Sequence, residues 1–367
     1  MKRITVLVSN DLEYDQRVRK VCTTLTEMGF KITLVGRRRP QSQKFTRPYK
    51  IRRFRLLFNS GALFYANLNL RLFFYLLFKR TDVILANDLD TLWPAWIIGK
   101  WRNKEVVYDS HEYFTEASGL TGRPFPKLVW AMVEKHIFPK LKRVSTVNDS
   151  IAQIYRDLYS VEVKVVRNVP PKWERGPIPS REELGLPVEK KVILLQGAFI
   201  DHDRGCLEAI ESMQYVDHSL LLIIGEGQAI PAANALREKL SLQDRVQFMP
   251  RMPFEELRNY TASADLGISL DRPDHLNYKL SLPNKIFDYI QARTPVLVSE
   301  LPELKRIMDQ YNIGLVAPDH DVHTLAKLMS RAVNEPDSAW KAELERAASE
   351  NNWEEEEKIV REMHSDL

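Results

Sequence analysis

Residues 280–300, LSLPNKIFDYIQARTPVLVSE, constrain the fold of this chain more than any other stretch. Ile286, Tyr289 and Ile290 recur at helical spacing, and Pro283 and Asn284 stand where a helix begins, which predicts a short helix over residues 284–292. Pro295-Val-Leu-Val then reads as a buried strand. A helix start exposes free backbone N–H groups at the positive end of a dipole. The turn at Pro283, Asn284 and Lys285 is therefore a candidate phosphate cradle, with Lys285 as an added cation. Asp288, one turn further on, can accept hydrogen bonds from a ribose. An ordinary helix start in an α/β domain carries the same pattern, so the other segments must decide between the two readings.

Those segments repeat one alternation. Ile4 to Val8 reads as a strand of the parallel kind, Asp15 as the N-cap of a helix over 16–28 closed by Gly29, and residues 31–36 as a second strand. This βαβ opening begins a doubly wound sheet, in which ligands sit beyond the carboxyl ends of the strands. Further strands are expected at 83–86, 105–108, 143–147, 163–166, 192–196, 220–224 and 246–248, with another ending at Ser269. Several end in polar clusters: Asn87-Asp88-Leu89-Asp90, Asp109-Ser110-His111-Glu112 and Arg167-Asn168-Val169-Pro170. Asp88 and Asp90 read equally as caps or as site residues, and Asp15 with Arg17 as a cap and surface ion pair or as substrate contacts. The loop over 270–282 offers Asp271, Asp274, His275 and Lys279 to a ligand.

At 367 residues the chain exceeds a usual single domain, and two domains are expected. Cys22 and Cys206 are the only cysteines and lack metal-ligand spacing, which points to reduced thiols and a cytoplasmic protein. The opening residues run straight into a strand rather than a signal peptide, and no apolar run is expected to reach the roughly 18 residues of a spanning helix.

Charge is divided unevenly. Through Pro170 there are 30 basic and 15 acidic residues, so this half is near +15 and the remainder near −11. The densest stretch, residues 37–55, holds Arg37, Arg38, Arg39, Lys44, Arg47, Lys50, Arg52, Arg53 and Arg55 and no acid. An apolar, aromatic-rich helical pattern follows over 62–79, interrupted by Asn67, Asn69 and Arg71. The pair suits the inner face of an anionic membrane, and equally a core helix preceded by a solvated basic loop. No nucleic-acid-binding motif accompanies the charge, and no nucleic-acid partner is expected.

Taken together, these segments resemble the GT-B glycosyltransferases, in particular glycosyltransferase family 4. The family's EAMAxGxPVV becomes DYIQARTPVL here, which places Asp288 on the ribose-binding glutamate, while the sugar-contacting glutamate eight residues earlier is replaced by Leu280. SLPNKIFDY matches the lPNKlfeY form of a smaller branch. YDSHE resembles the segment whose histidine faces the donor sugar, which implies His111 as the leading catalytic residue, with Asp109 and Glu112 beside it. Where the family reads GRLxxxKG this chain has Gly197 to Gly205: Arg204 matches the diphosphate-holding lysine, allowing one extra loop residue, and Ala198 replaces the arginine. Residues 220–227 resemble the vivGxG turn, and 246–251 the strand-turn that reads the nucleobase, with Arg251 as its side-chain candidate. Asn168-Val169-Pro170 resembles the interdomain crossover, and NNWEEEEKIVREM the helix that returns to the first domain. The first loop, SNDLEYDQRVRK, lacks the family's glycine pair.

The resemblance implies two facing Rossmann-like domains: an acceptor-side domain at 1–170, a linker at 171–187, a nucleotide-sugar domain at 188–340, and a returning helix within 341–367. It implies transfer of a sugar, with retention, from a UDP- or GDP-linked donor to a hydroxyl of a glycan or lipid-linked acceptor, with no metal and no other cofactor. Glu354 to Glu357 read as a solvated helix face rather than a metal site. The absent glutamate and arginine leave room for a non-catalytic nucleotide-sugar-binding partner, and the same fold also serves nucleotide-sugar epimerases.

Overall fold

Runs such as VILAN at Val83–Asn87 and SLLLIIG at Ser219–Gly225 are apolar on both faces, and a parallel sheet joined by helical crossovers is what buries them. The computed structural model, which describes residues 1–13, 15–336 and 338–367, divides into two compact units. The first holds residues 1–168 and 355–367, the second 169–354.

In the first unit the elements are β1 (Arg3–Leu7), α1 (Gln16–Glu27), β2 (Lys31–Arg38), β3 (Lys50–Arg55), α2 (Gly61–Phe78), β4 (Val83–Asn87), α3 (Leu89–Arg102), β5 (Glu105–Ser110), α4 (Pro124–Ile137), β6 (Arg143–Thr146), α5 (Asp149–Tyr159) and β7 (Val163–Val165). The seven strands are all parallel in the order β3-β2-β1-β4-β5-β6-β7, with Val6 opposite both Leu34 and Leu85. The expected cap forms, the Asp15 carboxylate accepting from Val18 N, and the Asn148 side chain caps α5 by accepting from Ile151 N.

The second unit runs β8 (Lys191–Gly197), α6 (Cys206–Ser212), β9 (Ser219–Gly225), α7 (Ile230–Lys239), β10 (Val246–Met249), α8 (Phe254–Ser263), β11 (Leu266–Ser269), α9 (Leu276–Lys279), α10 (Lys285–Ala292), β12 (Val296–Ser299), α11 (Pro302–Gln310), β13 (Gly314–Ala317), α12 (Val322–Asn334) and α13 (Ser338–Glu350), with α14 (Trp353–His364) closing the chain. Its six strands are parallel in the order β10-β9-β8-β11-β12-β13. In both sheets the chain winds outward from a central strand, returns, and winds the other way. The reversal falls between β1 and β4 in one and between β8 and β11 in the other, and at such switch points the carboxyl ends of neighbouring strands splay into a crevice.

Five expectations need correction. Residues 171–187 are not a free linker. Trp173 N donates to Gln291 Oε1 at 2.9 Å, Arg181 pairs with Asp265 at 2.6 Å, and Leu186 is buried in the second core. The return to the first unit begins at 355 rather than 341, because Trp340, Leu344 and Ala347 bury the apolar stripe of α13 in the second unit. The glutamate run is only partly solvated, since Glu356 is buried and accepts from Arg167 N at 2.7 Å and Arg167 Nε at 2.6 Å. Finally, α2 has 18 residues and is, among the described residues, the one helix long and apolar enough by length and composition to cross a membrane. Phe64, Leu68, Leu72 and Leu76 form its buried stripe, while Leu63, Leu70, Phe74 and Phe78 stay exposed. The basic stretch before it is not simply a loop: Lys50–Arg55 forms β3, an edge strand whose charged side chains suit its position.

Candidate functional site

In the second unit the polar side chains converge at the switch point. Asp271, two residues past β11, is fully buried, and its carboxylate gathers Arg204 Nη1, Lys285 Nζ at 3.4 Å and Ser269 Oγ at 2.7 Å. Arg204 comes from the turn before α6 and lies over the Tyr278 ring, 4.8 Å from its centroid. Lys285 is the first residue of α10. Burial alone works to raise the Asp271 carboxyl, but the Lys285 and Arg204 charges outweigh it and hold it below the ordinary carboxylate value. Burial likewise pulls the Lys285 ammonium below the ordinary lysine value, against the Asp271 charge. Two cations share one anion, so the cluster keeps a net positive charge.

The start of α10 adds direction to that charge. Pro283 is buried and has no N–H, Asn284 is exposed, and the first bonded amide is Ile286 N, which donates to Pro283 O at 3.2 Å. Among the described residues nothing accepts from the backbone N–H groups of Asn284 and Lys285, which leaves two donors at the helix start that also carries Lys285. Asp288, half-buried one turn on, accepts from Gln196 Nε2 at 3.2 Å at the end of β8. Gly197 follows directly. Its backbone has no left-handed requirement, and an added Cβ would meet only ordinary contacts, so space remains above it. Gly225 and Gly227 are different. Both have positive φ, and a Cβ would lie 2.0 Å from Gly197 O or 2.1 Å from Ile200 O, so these glycines let the loops after β8 and β9 pack together. Arg251 lies exposed after β10, at the edge of the same sheet and two strands from β8.

The first unit carries a second constellation at the carboxyl ends of β4 and β5. His111 is enclosed by acceptors: Nδ1 lies 3.4 Å from Asp88 Oδ2, Nε2 lies 3.1 Å from Asn87 Oδ1 and 3.3 Å from Asp109 Oδ2, and its backbone N–H donates to Asp88 Oδ1 at 2.8 Å. Burial disfavours its charge, yet the Asp88 and Asp109 carboxylates outweigh burial and push its pKa up to about 9. The ring is therefore an imidazolium at neutral pH with both N–H groups engaged, and its charge and ring carbons are what remain for a ligand. Asp88 itself sits at φ 59° and ψ 163°, a region costing about 1–3 kcal/mol outside glycine, and strain of this kind clusters at functional sites.

Asp109 is not placed to touch a substrate. It is buried, receives Arg17 Nε at 2.9 Å and Arg17 Nη2 at 2.6 Å, and accepts from Ser145 Oγ at 2.7 Å, so it positions His111 from beneath. Arg17, expected as a surface pair or a substrate contact, is the buried partner of that carboxylate and also donates to Val166 O. Glu112 lies half-buried just past β5, its carbonyl accepting from Ser110 Oγ at 2.8 Å. Asp90 is buried in the first turn of α3, and burial together with the Asp88 charge pushes its carboxyl up to about 7. Sequence reasoning placed Asp271 among four loop candidates without seeing that it joins the two cations. Its one signal was an acid directly following a buried strand.

Two stability measurements check these assignments. Asp271→Asn keeps the shape but leaves Arg204 and Lys285 without their counter-charge, and is expected to cost about 3 kcal/mol in denaturant unfolding; a stability equal to the parent would mean the cluster is not held by charge. For His111 the folded pKa of about 9 lies above the ordinary value of 6.5, so its contribution is complete below pH 6.5 and is lost as the pH rises through 9. The melting temperature should therefore fall across that window, and fall less in His111→Gln. Parallel curves for the two proteins would reject the ion-pair account.

Comparison with known proteins places the chain in a family. The model for Glycosyltransferase Family 4 matches residues 16–171, and that for glycosyl transferases group 1 matches residues 190–335. No curated protein sequence matches the chain. Among solved structures, the sucrose-phosphate synthase of Thermosynechococcus elongatus is similar over 100% of this chain and 99% of its own, with a TM-score of 0.81 and 18% identity. HepE of Anabaena, solved with UDP and glucose, gives a TM-score of 0.73 at 13% identity over 100% of both chains. WaaG, a glycosyltransferase involved in lipopolysaccharide biosynthesis, gives 0.68 at 16% identity over 98% of this chain and 99% of its own. These structural likenesses carry the fold, and the two family models, matching one in each unit and together spanning most of the chain, carry the activity. The chain belongs to the GT-B glycosyltransferases of the family 4 type.

Proposed function

We propose that the protein moves a sugar from a nucleoside-diphosphate donor, UDP- or GDP-linked, to a hydroxyl of a glycan or lipid-linked acceptor, with retention at the anomeric carbon. One observation carries this reading: Arg204 and Lys285 are drawn together on the buried Asp271 carboxylate, beside the unengaged amides at the start of α10. As the bond from the anomeric carbon to the phosphate oxygen breaks, negative charge grows on the departing diphosphate. Preorganised N–H groups and fixed cations stabilise that charge without reorganising at the moment of reaction. The acceptor oxygen forms the new bond to the same carbon, and its proton leaves with the nucleoside diphosphate.

Arg204 and Lys285 supply positive charge at the phosphates, which supports a reaction that needs no bound divalent ion. Asp288 is assigned to the ribose, Gly197 to close approach of the donor, and Arg251 to the base. His111 acts on the sugar through its charge, held by Asp88 and Asp109. No side chain is assigned as a nucleophile. HepE has been solved with UDP-glucose, which makes UDP-sugars the first donors to test. The encounter with the acceptor is assigned to an anionic membrane surface on the cytoplasmic side, in keeping with the basic first half of the chain.

Thermal-shift screening of UDP-, GDP- and ADP-sugars identifies the donor, since a ligand that binds only the folded state raises its melting temperature. With that donor, Lys285→Ala and Arg204→Ala are each expected to weaken calorimetric affinity about tenfold or more, equivalent to about 1.4 kcal/mol; unchanged affinity in both removes the phosphate assignment. His111→Ala should lower turnover more than donor affinity, and an equal loss of the two counts against its action on the sugar. Incubation with donor alone, followed by NMR of the sugar, should show no new epimer. An epimer would replace transfer by epimerisation.

A further inference from the structure

The exposed side of α2 is an apolar surface in its own right. Leu63, Leu70, Phe74 and Phe78 fall within one narrow arc of the helix, opposite the stripe that enters the core, and each is at least half exposed. The patch continues onto α3. The Phe73 ring lies 5.5 Å from that of Phe74, 6.2 Å from Trp93 and 6.0 Å from Trp101, and Trp101 is 70% exposed. Soluble proteins rarely leave a contiguous apolar patch of this kind uncovered without a partner for it.

Charge identifies the partner. From residue 37 to residue 81 the chain carries twelve Lys and Arg and no Asp or Glu. Arg71 is exposed on α2 itself, Lys79 and Arg80 follow its last turn, and Lys100 is exposed on α3 next to Trp101. Arg52, on β3, acts electrostatically on Tyr75 of α2. Among the described residues none of these five cations is in an ion pair. Tryptophan and phenylalanine beside Lys and Arg that are outside ion pairs, on two adjoining helices partly held in a core, is the composition of a surface that lies in a membrane interface. The buried stripe of Phe64, Leu68, Leu72 and Leu76 argues against spanning, because removing α2 from the sheet would uncover it.

We infer that the α2–α3 face docks onto an anionic lipid surface, with Phe74, Phe78 and Trp101 entering the headgroup boundary and Arg71, Lys79, Arg80 and Lys100 meeting the lipid phosphates. This deepens the membrane part of the proposed function and selects the lipid-linked acceptor over the free glycan.

The test uses the full chain with vesicles of phosphatidylcholine alone and with added phosphatidylglycerol. Sedimentation should show about tenfold tighter partitioning to the anionic vesicles, falling as salt rises. Phe74→Ser/Phe78→Ser/Trp101→Ser should lower that partitioning about tenfold with an unchanged melting temperature. Arg71→Gln/Lys79→Gln/Arg80→Gln should remove the preference for the anionic lipid while the protein stays folded. Equal partitioning of the parent to both vesicles, or undiminished binding of the serine variant, overturns the inference. So does a parent that is dimeric in solution and becomes monomeric in the serine variant, since a second copy would then cover the face. Donor binding measured without vesicles separates the two claims: its failure alone removes sugar transfer and leaves docking intact.

Discussion

A parallel strand buried on both faces has nowhere to do chemistry except at its ends. That constraint governs both units. Once the strands of each sheet are sealed under crossover helices, the polar residues of the connecting loops collect at the carboxyl edge, and the reversal of winding opens a crevice there. Ser269 to Asp271 at the end of β11, Gln196 and Gly197 at the end of β8, and Asn87 and Asp88 at the end of β4 are all brought to such an edge by topology rather than by local preference.

The two edges resolve the burial of charge in opposite ways. In the second unit a single buried carboxylate serves two cations, so the cluster is short of negative charge. In the first, a single imidazolium lies among Asp88 and Asp109, and Arg17 balances the deeper of the two carboxylates. Breaking either network leaves a charge unpaired away from water, which is why these groups are tied more tightly than surface ion pairs are. The strained backbone at Asp88 belongs to the same economy of position, since in that conformation its carboxylate reaches both the backbone and the ring of His111.

Helix α2 is divided between core and surface. Its apolar residues at four-residue spacing enter the core, and a second set on the opposite side of the helix does not. Because the helix is apolar nearly all round, periodicity could not divide it into an inner and an outer face. A related substitution occurs after α10, where Arg293 occupies the left-handed position that the family form gives to glycine. Its side chain offsets the cost by donating to Gln291 O at 2.6 Å and pairing with Glu345 at 3.0 Å.

From residue order alone one could read the alternation of strands and helices, the cap at Asp15, the helix start at Pro283 to Lys285, and the family itself. All of these depend on neighbours a few positions apart. What residue order could not supply was partnership across distance: that Arg204 and Lys285 meet on Asp271, that Arg17 lies buried under Asp109 rather than at the surface, that residues 171–187 join the second core, and that Glu356 closes on Arg167. Each joins residues well apart along the chain, and each is decided by which strand ends the sheet order sets side by side and by the requirement that a buried charge find its opposite.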